Sequence, residues 1–425
     1  MKEQQLKKIR WGIFIFCFTL MAWRAFTISI DSGGRDNVYG DSYSDFNTHS
    51  AVRYFYDSGF CNTYLLPMHQ YDYSGDTTIG AYTHYPALPD IFAGIYAYIL
   101  NTTKEPWLRI FPILLSMLWF FLIYRVLKTL LKDNQQAFIG GSILVLSNYF
   151  IAWGDNLHKH ALEEFFKWLY VYCIYKYFTV DEKRNMWLVA MCILFILAVN
   201  SSFEPATYLA VISIGFSLIY TRKIFTPATI FPGIAAIVGF MLHMWQNAAY
   251  LGGWELAFED MEAAFKLRTA GEATEGFTIN EIGDKDFTFF DLLFEWFNRI
   301  ERFFLIPGWA FILFLVGGMR HMFINNKKLF YITLTILIAT LSWSFAMMHH
   351  AYVHLFTSRQ WGILIGVIMA YTTPLYYNLV KTAFIEKKYP TIIFHSLFIL
   401  YIAAMAVSQQ VYGLYLKHGF LYNYI

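Results

Sequence analysis

The chain has 425 residues and a formal charge of only +2; 57% of it is hydrophobic, 20% aromatic and 15% charged. Soluble domains carry about 25% charged residues, so this balance, with a mean hydropathy of +0.41, excludes an ordinary soluble enzyme. The basic clusters are short and lie beside apolar runs, which gives no footprint for a nucleic acid.

Lys2, Lys7, Lys8 and Arg10 precede a first apolar run, Trp11–Ile30. The run is too long for a signal-peptide core and no small-residue cleavage site follows, so it reads as a retained anchor with a cytoplasmic N-terminus. A polar stretch then runs to Pro89 and carries Asp36, Asp41, Asp45, Asp57, Asp72 and Asp76, with His49, His69 and His84 among them. Residues 31–106 are the first outer loop. Within it, Asp45–Tyr56 has the character of a short helix, with Asp45 and His49 one turn apart on one face. Leu88–Leu100 is apolar but short for a crossing and contains Asp90, so it is expected to lie at the outer interface.

Further apolar runs long enough to span follow at about Trp107–Leu127, Ala137–Trp153, Ala161–Phe178, Met186–Phe203, Ala206–Tyr220 and Ala228–Gln246. A short outer turn, Gly154–His160, separates two of these, and Glu204-Pro205 marks another. Residues 247–301 form a second large outer loop. In it Trp254–Arg268 reads as an amphipathic helix, and Thr269–Asp286 is rich in Gly, Thr and Glu. Spans at Phe303–Phe323, Leu329–Met347, Gln360–Tyr377 and Thr391–Val411 complete the chain, with an outer turn His349–His354 between two of them. The expected fold class is therefore an all-α polytopic membrane protein, one domain over residues 1–425, with about eleven transmembrane helices and two large outer loops that carry interfacial helices. Basic residues fall where this count puts the inside: Arg125/Lys128/Lys132, Lys176/Lys183/Arg184, Arg222/Lys223, Arg320/Lys327/Lys328 and Lys381/Lys387/Lys388. Of the four cysteines only Cys61 falls in an outer loop, which leaves no pair for an outer disulfide.

Ionisable residues gather at the outer edge, and few, such as His243 and His395, lie mid-span. A transporter needs polar groups near the bilayer midplane; an enzyme working at the interface needs them at one edge. The distribution favours the enzyme. A carboxylate beside a substrate hydroxyl or amine can act as a general base. Asp45 is the first candidate and Asp41 the second, the plain alternative being a solvated surface group or a helix cap. Asp155, His158 and His160 have residue types that bind a divalent metal, against an alternative of capping by Asp155 and interfacial histidines. Glu163 and Glu164 suit the positive end of a helix. Arg359 can clamp a phosphate bidentately or snorkel to the boundary.

The order of these pieces resembles the GT-C glycosyltransferases that use polyprenyl-phosphate sugars, in particular the aminoarabinose-lipid transferases and protein O-mannosyltransferases. The resemblance is carried by Asp45–Gly59 after the first span, by His84-Tyr85-Pro86-Ala87-Leu88-Pro89 closing the loop, by Glu105-Pro106-Trp107-Leu108-Arg109-Ile110-Phe111-Pro112 through Tyr124-Arg125, and by His160-Ala161-Leu162-Glu163-Glu164-Phe165-Phe166. It covers roughly residues 11–220 and, more faintly, the Arg359 region. This sequence departs from the family pattern in having Ser44-Asp45 for an acidic pair, His160 for an aspartate with Asp155 upstream, and His84 before the prolines.

The resemblance implies a GT-C-like fold in an integral membrane protein, by expectation of a bacterial inner membrane, with the C-terminus outside. It implies a sugar donor on a polyprenyl phosphate and a lipid, glycan or protein acceptor. Asp45 would be the general base, with Asp41 and Asp155 as further catalytic candidates. His49, His84, Tyr85, Lys159, Glu204 and Arg359 would bind substrate. Metal use varies among such enzymes; Asp155, His158 and His160 are the set that would hold a divalent ion. Two other readings stay open: a catalytically diverged relative serving as a subunit of a membrane complex, and a lipid-linked sugar transporter.

Overall fold

The computed structural model describes residues 3–27, 42–69, 80–151, 153–270, 288–304, 306–384 and 400. Every regular element among them is helical. The first is α1 (Glu3–Thr27), a long apolar helix at the edge of the bundle. Next come α2 (Ser42–Ser58) and α3 (Leu88–Leu100), packed on each other. They match the two interfacial helices expected in the first loop, and α3 has the expected bounds. Then α4 (Glu105–Leu108) turns the chain into α5 (Ile110–Leu131).

The expected third span is interrupted. Asp133 caps α6 (Asn134–Val145) by accepting from the amides of Gln135 and Gln136, and α6 ends eight residues before the expected Trp153. One turn of helix, α7 (Asn148–Ile151), follows. Beyond the 153–159 turn stand α8 (His160–Thr179), α9 (Arg184–Ser201) and α10 (Glu204–Thr221). A capping box between Thr226 and Thr229, with Pro227 at the first helical position, starts α11 (Pro227–Leu251). Gly252 stops it in the left-handed region at φ 90°, where a side chain would be strained. Then come α12 (Trp254–Ala270), α13 (Phe289–Phe304), α14 (Gly308–Asn325), α15 (Lys327–Ala346), the short α16 (Met348–Val353), a 3₁₀ turn Leu355–Trp361 and α17 (Gly362–Phe384).

The bundle forms around α8 and its neighbours α5, α9 and α10, with α17 laid on α6 and α15 on α10. Small residues set the closest approaches, as is usual where lipid supplies no hydrophobic drive between helices. A Cβ on Gly140 would come within 2.5 Å of the Gly366 carbonyl on α17, and one on Gly215 within 2.1 Å of Thr335 on α15. Trp119, Trp168, Tyr149 and Phe150 fill the centre. Large apolar side chains such as Ile237, Leu313 and Val316 are left on the outside, the pattern of helices bathed in acyl chains. This is an integral membrane protein.

Five described helices are individually long and apolar enough to cross a bilayer, and α13 with α14 would make a sixth but for a bend of 92° between them. Part of the difference from about eleven has a physical cause in α8. It carries Glu163, Glu164, Lys167 and Lys176, so composition alone fails it, yet most of those charges are paired inside the bundle. The expected span Thr391–Val411 lies, but for Leu400, outside the described residues.

Candidate active site

Asp45 sits in the first turn of α2 with no exposed surface. One carboxylate oxygen accepts the backbone amides of Leu157 at 2.6 Å and His158 at 3.2 Å. The other accepts from the Arg109 guanidinium at 3.1 Å. Arg109 also donates to Glu105 at 2.6 Å and lies 3.7 Å from Asp155. Asp155 is gripped from the far side by Arg24 of α1, which donates as well to the Ile151 carbonyl at 2.6 Å. The separate candidates Asp45 and Asp155 are thus brought together by two arginines that were not foreseen. Among the described residues three carboxylates meet two guanidinium groups here. Burial pushes the Asp45 carboxyl up to about 8 against the pull of Arg109, with Asp155 and Glu105 adding to the rise. A proton shared within the cluster relieves its surplus negative charge.

One turn further along α2, Thr48 contacts His158 Nδ1 at 2.8 Å. His49 donates to the Thr103 carbonyl at 2.9 Å, which ties α2 to the α3–α4 connection. Asp90 of α3 pairs with His69 at 3.4 Å, and the His69 ring stacks on Tyr82. Asp41 lies outside the described residues.

A second buried cluster sits on the 153–159 turn and the start of α8. Lys159 donates to Glu204 at 2.9 Å and to Ser202 at 3.1 Å, and is 3.6 Å from Glu163. Arg359 pairs with Glu163 at 2.8 Å and lies 3.7 Å from Glu204. Burial alone would lower the Lys159 ammonium, but Glu163 and Glu204 more than offset it and its pKa is raised. Lys159, Glu204 and Arg359 converge, and all are buried and charge-matched.

The half-open part of the site lies above this cluster. The Lys159 ammonium is 4.3 Å from the centre of the Tyr85 ring and 4.8 Å from that of Phe356. Arg268 of α12 lies 4.6 Å from the Tyr85 ring centre and donates to the Ala264 and His84 carbonyls. Tyr85 and Arg268 are both half-buried. No carboxylate among the described residues pairs with Arg268, so its charge is available to an anion.

His350 fixes the proton on Tyr85. The Trp343 Nε1–H is a donor only, and it reaches His350 Nδ1 at 3.1 Å. Nδ1 is therefore an acceptor. Burial, with His354, Arg268 and Lys159 nearby, holds the His350 pKa well below the usual histidine range, so the ring is neutral and its proton is on Nε2. That nitrogen donates to the Tyr85 hydroxyl at 2.7 Å. The Tyr85 oxygen is thereby an acceptor from histidine, and its own O–H is directed elsewhere. His84 closes the rim by bonding Asp260 of α12 at 2.9 Å. Burial would raise the Asp260 carboxyl, but His84 outweighs it and the pKa is lowered.

Sequence reading missed Asp260 and Arg268. The signal was present: Ala257, Asp260, Ala264 and Arg268 are spaced 3, 4 and 4 apart, which puts two small residues and two charged ones on one helical face. The small residues let α12 dock closely, and the charged ones then reach His84 and Tyr85.

Asp155, His158 and His160 do not form a metal site. Asp155 is neutralised by two arginines, His158 bonds Thr48, and His160 is wedged edge-on against Trp153 with ring centres 4.5 Å apart. A cation placed at Asp155 would have to displace a guanidinium. Among the described residues no group of three His, Cys, Asp or Glu side chains is arranged to hold a metal ion.

The helical bundle, with α2–α3 and α12 packed at the end that holds the buried charge, has the fold of solved GT-C membrane glycosyltransferases. Solved structures similar to this chain include the oligosaccharyltransferase of Archaeoglobus fulgidus in its apo form, with TM-score 0.53 and 12% identity over 95% of this chain and 55% of that one. AglB from the same organism, in complex with an inhibitory peptide and a dolichol-phosphate, matches with TM-score 0.51 and 14% identity over 97% of this chain and 55% of that one. ArnT from Cupriavidus metallidurans, in the apo state, matches with TM-score 0.50 and 14% identity over 96% of this chain and 72% of that one. The chain spans about half the length of the archaeal enzymes, and at these identities the likeness is one of fold. By sequence, no family model and no curated protein matches the chain.

Proposed function

We propose that this protein moves a sugar from a polyprenyl-phosphate donor to a lipid, glycan or protein acceptor on the outer face of a bacterial inner membrane, with its N-terminus in the cytoplasm. The GT-C architecture supports the reaction class. The observation that carries the reading is the half-open site at Tyr85, where Arg268, a cation with no carboxylate partner among the described residues, meets a hydroxyl whose proton is directed away from His350. Such a pair recognises a phosphate by charge-assisted hydrogen bonds.

In this mechanism the acceptor heteroatom attacks the anomeric carbon as the bond from that carbon to the phosphate oxygen breaks. The electron pair leaves with the polyprenyl phosphate. Arg268 and the Tyr85 O–H bind the oxygens on which that charge collects, and the buried Lys159 and Arg359 set a positive background beneath them. His49 and His84 fasten the loop segments that frame the site. The acceptor proton passes to Asp45, whose pKa of about 8 suits a base working near neutrality. To reach Asp45 an acceptor must take over one of the two amide bonds from Leu157 and His158, so the start of α2 and the 155–158 turn part when it binds.

One observation favours a second reading. Asp45 has no exposed surface and both its oxygens are occupied. In that reading Asp45 braces α2, and the chain is a catalytically diverged relative that serves as a subunit of a membrane complex. Asp45→Asn separates the two. On the first reading it abolishes transfer by the protein that remains folded, a loss greater than any fall in melting temperature explains; on the second, no donor is turned over by the parent protein and the substitution acts on stability alone.

A further inference from the structure

The helix α13 has three faces. Leu292, Trp296, Arg299 and Ile300 are buried against the bundle. Asp291, Glu295, Asn298 and Arg302 form a polar stripe, each about 300 to 400° of helical rotation after the one before. The third face carries Phe290 and Phe294, 76% and 67% exposed. α13 stands at 92° to α14, so the two do not continue as one straight span, and an amphipathic helix set off in this way suits a place along the membrane surface. On α14 too, large apolar side chains are left outside, Trp309 at 70% and Leu313 at 59% exposure. Amphipathic helices with aromatic apolar faces bed into the boundary between headgroups and acyl chains.

The buried face of the same helix holds the site. The Arg299 guanidinium donates to the carbonyls of Ala351, Tyr352 and His354 and to the Thr357 hydroxyl. Four acceptors over seven residues are thus fixed by one side chain from another element. The segment they belong to begins just after His350, which orients Tyr85, and ends just before Arg359. We propose that α13 is seated in the outer leaflet through Phe290 and Phe294, and that Arg299 transmits this seat to the His350–Arg359 turn as a positioning residue. The coupling to turnover rests on the transferase reading above; the lipid seat does not.

Nitroxide labels at Phe290→Cys, Phe294→Cys and Asp291→Cys, in a Cys61→Ser background of the full chain in phosphatidylethanolamine/phosphatidylglycerol nanodiscs, test the seat. The expected result is strong relaxation by oxygen and weak relaxation by a water-soluble nickel chelate at 290 and 294, and the reverse at 291. Nickel access at 290 and 294 equal to that at 291 overturns the seat, and so does shielding of both from either reagent, which would mean a protein cover. The coupling is tested by Arg299→Lys and by the milder Thr357→Val. Each is expected to raise the KM for the lipid-phosphate donor several-fold, about fivefold for the lysine, with kcat within about twofold, while the labels report an unmoved α13. An unchanged KM in both variants overturns the coupling. A parent protein that turns over no donor refutes the transferase reading, and the coupling with it, and leaves the label result standing on its own.

Discussion

Trp343 donates its indole N–H to His350 Nδ1, and this contact, remote from any substrate, settles which way the Tyr85 proton points. An indole cannot accept in that geometry, so the imidazole has one tautomer available while it stays neutral. The phenol is left to donate outward beside Arg268.

Tyr85→Phe is therefore expected to slow donor cleavage by about ten- to a hundredfold, through kcat more than KM, since the lost hydrogen bond strengthens as charge develops on the leaving phosphate. Initial rates of polyprenyl-phosphate release across donor concentrations check this. An effect confined to KM would assign Tyr85 to ground-state binding.

Arg268→Ala is expected to raise the donor KM by about tenfold or more, with Arg268→Lys in between, because an ammonium keeps the charge and loses the planar fork. The melting temperature should stay close to that of the parent, since the guanidinium bonds to two carbonyls and to the hydroxyls of Tyr82 and Tyr85 and forms no ion pair among the described residues.

The Asp45 cluster gives a pH signature. The folded carboxyl, pushed up to about 8, holds its proton at pH values where the unfolded one, near 3.9, has lost it. The folded state thus binds more protons, and this group's contribution to stability is full below about pH 4 and declines as pH rises through about 8. Asp45→Asn fixes the protonated shape and is expected to flatten that decline, seen as melting temperature against pH. Transfer itself needs the ionised form, so the parent's turnover should climb toward pH 8.

Arg109→Met removes the cation shared by Asp45, Glu105 and Asp155. Breaking a buried charge network from one side costs about 3–5 kcal/mol, so the variant should express poorly or melt well below the parent. Arg109→Lys, which keeps the charge, should fall between them.

Much of this was legible from residue spacing. The separate helix α3 came from a 13-residue apolar run too short to cross, and Asp45, Asp155, Lys159, Glu204 and Arg359 were singled out by their places at the ends of apolar runs. Three things were not legible. The break after Val145 falls at Ser147-Asn148, where the Ser147 hydroxyl donates back to the Leu144 carbonyl and Asn148 reaches the Arg302 carbonyl; two polar residues inside an apolar run do not by themselves announce an interruption. The pairing of Arg24 with Asp155 joins residues 131 apart in the chain, and no local pattern encodes it. Arg268 is the last residue of what read as an amphipathic surface helix; its role arises only when α12 folds back over Tyr85. Conversely, residue types suited to a metal at Asp155, His158 and His160 misled, because composition cannot show that two arginines already occupy the carboxylate.

The most direct measurement is mass spectrometry of polyprenyl phosphate released from a panel of polyprenyl-phosphate sugars by the purified protein in nanodiscs with envelope lipid extract as acceptor. The account predicts release by the parent from at least one donor, sharply reduced in Tyr85→Phe and Arg268→Ala at matched folding. No release from any donor, or release that neither substitution alters, would contradict it.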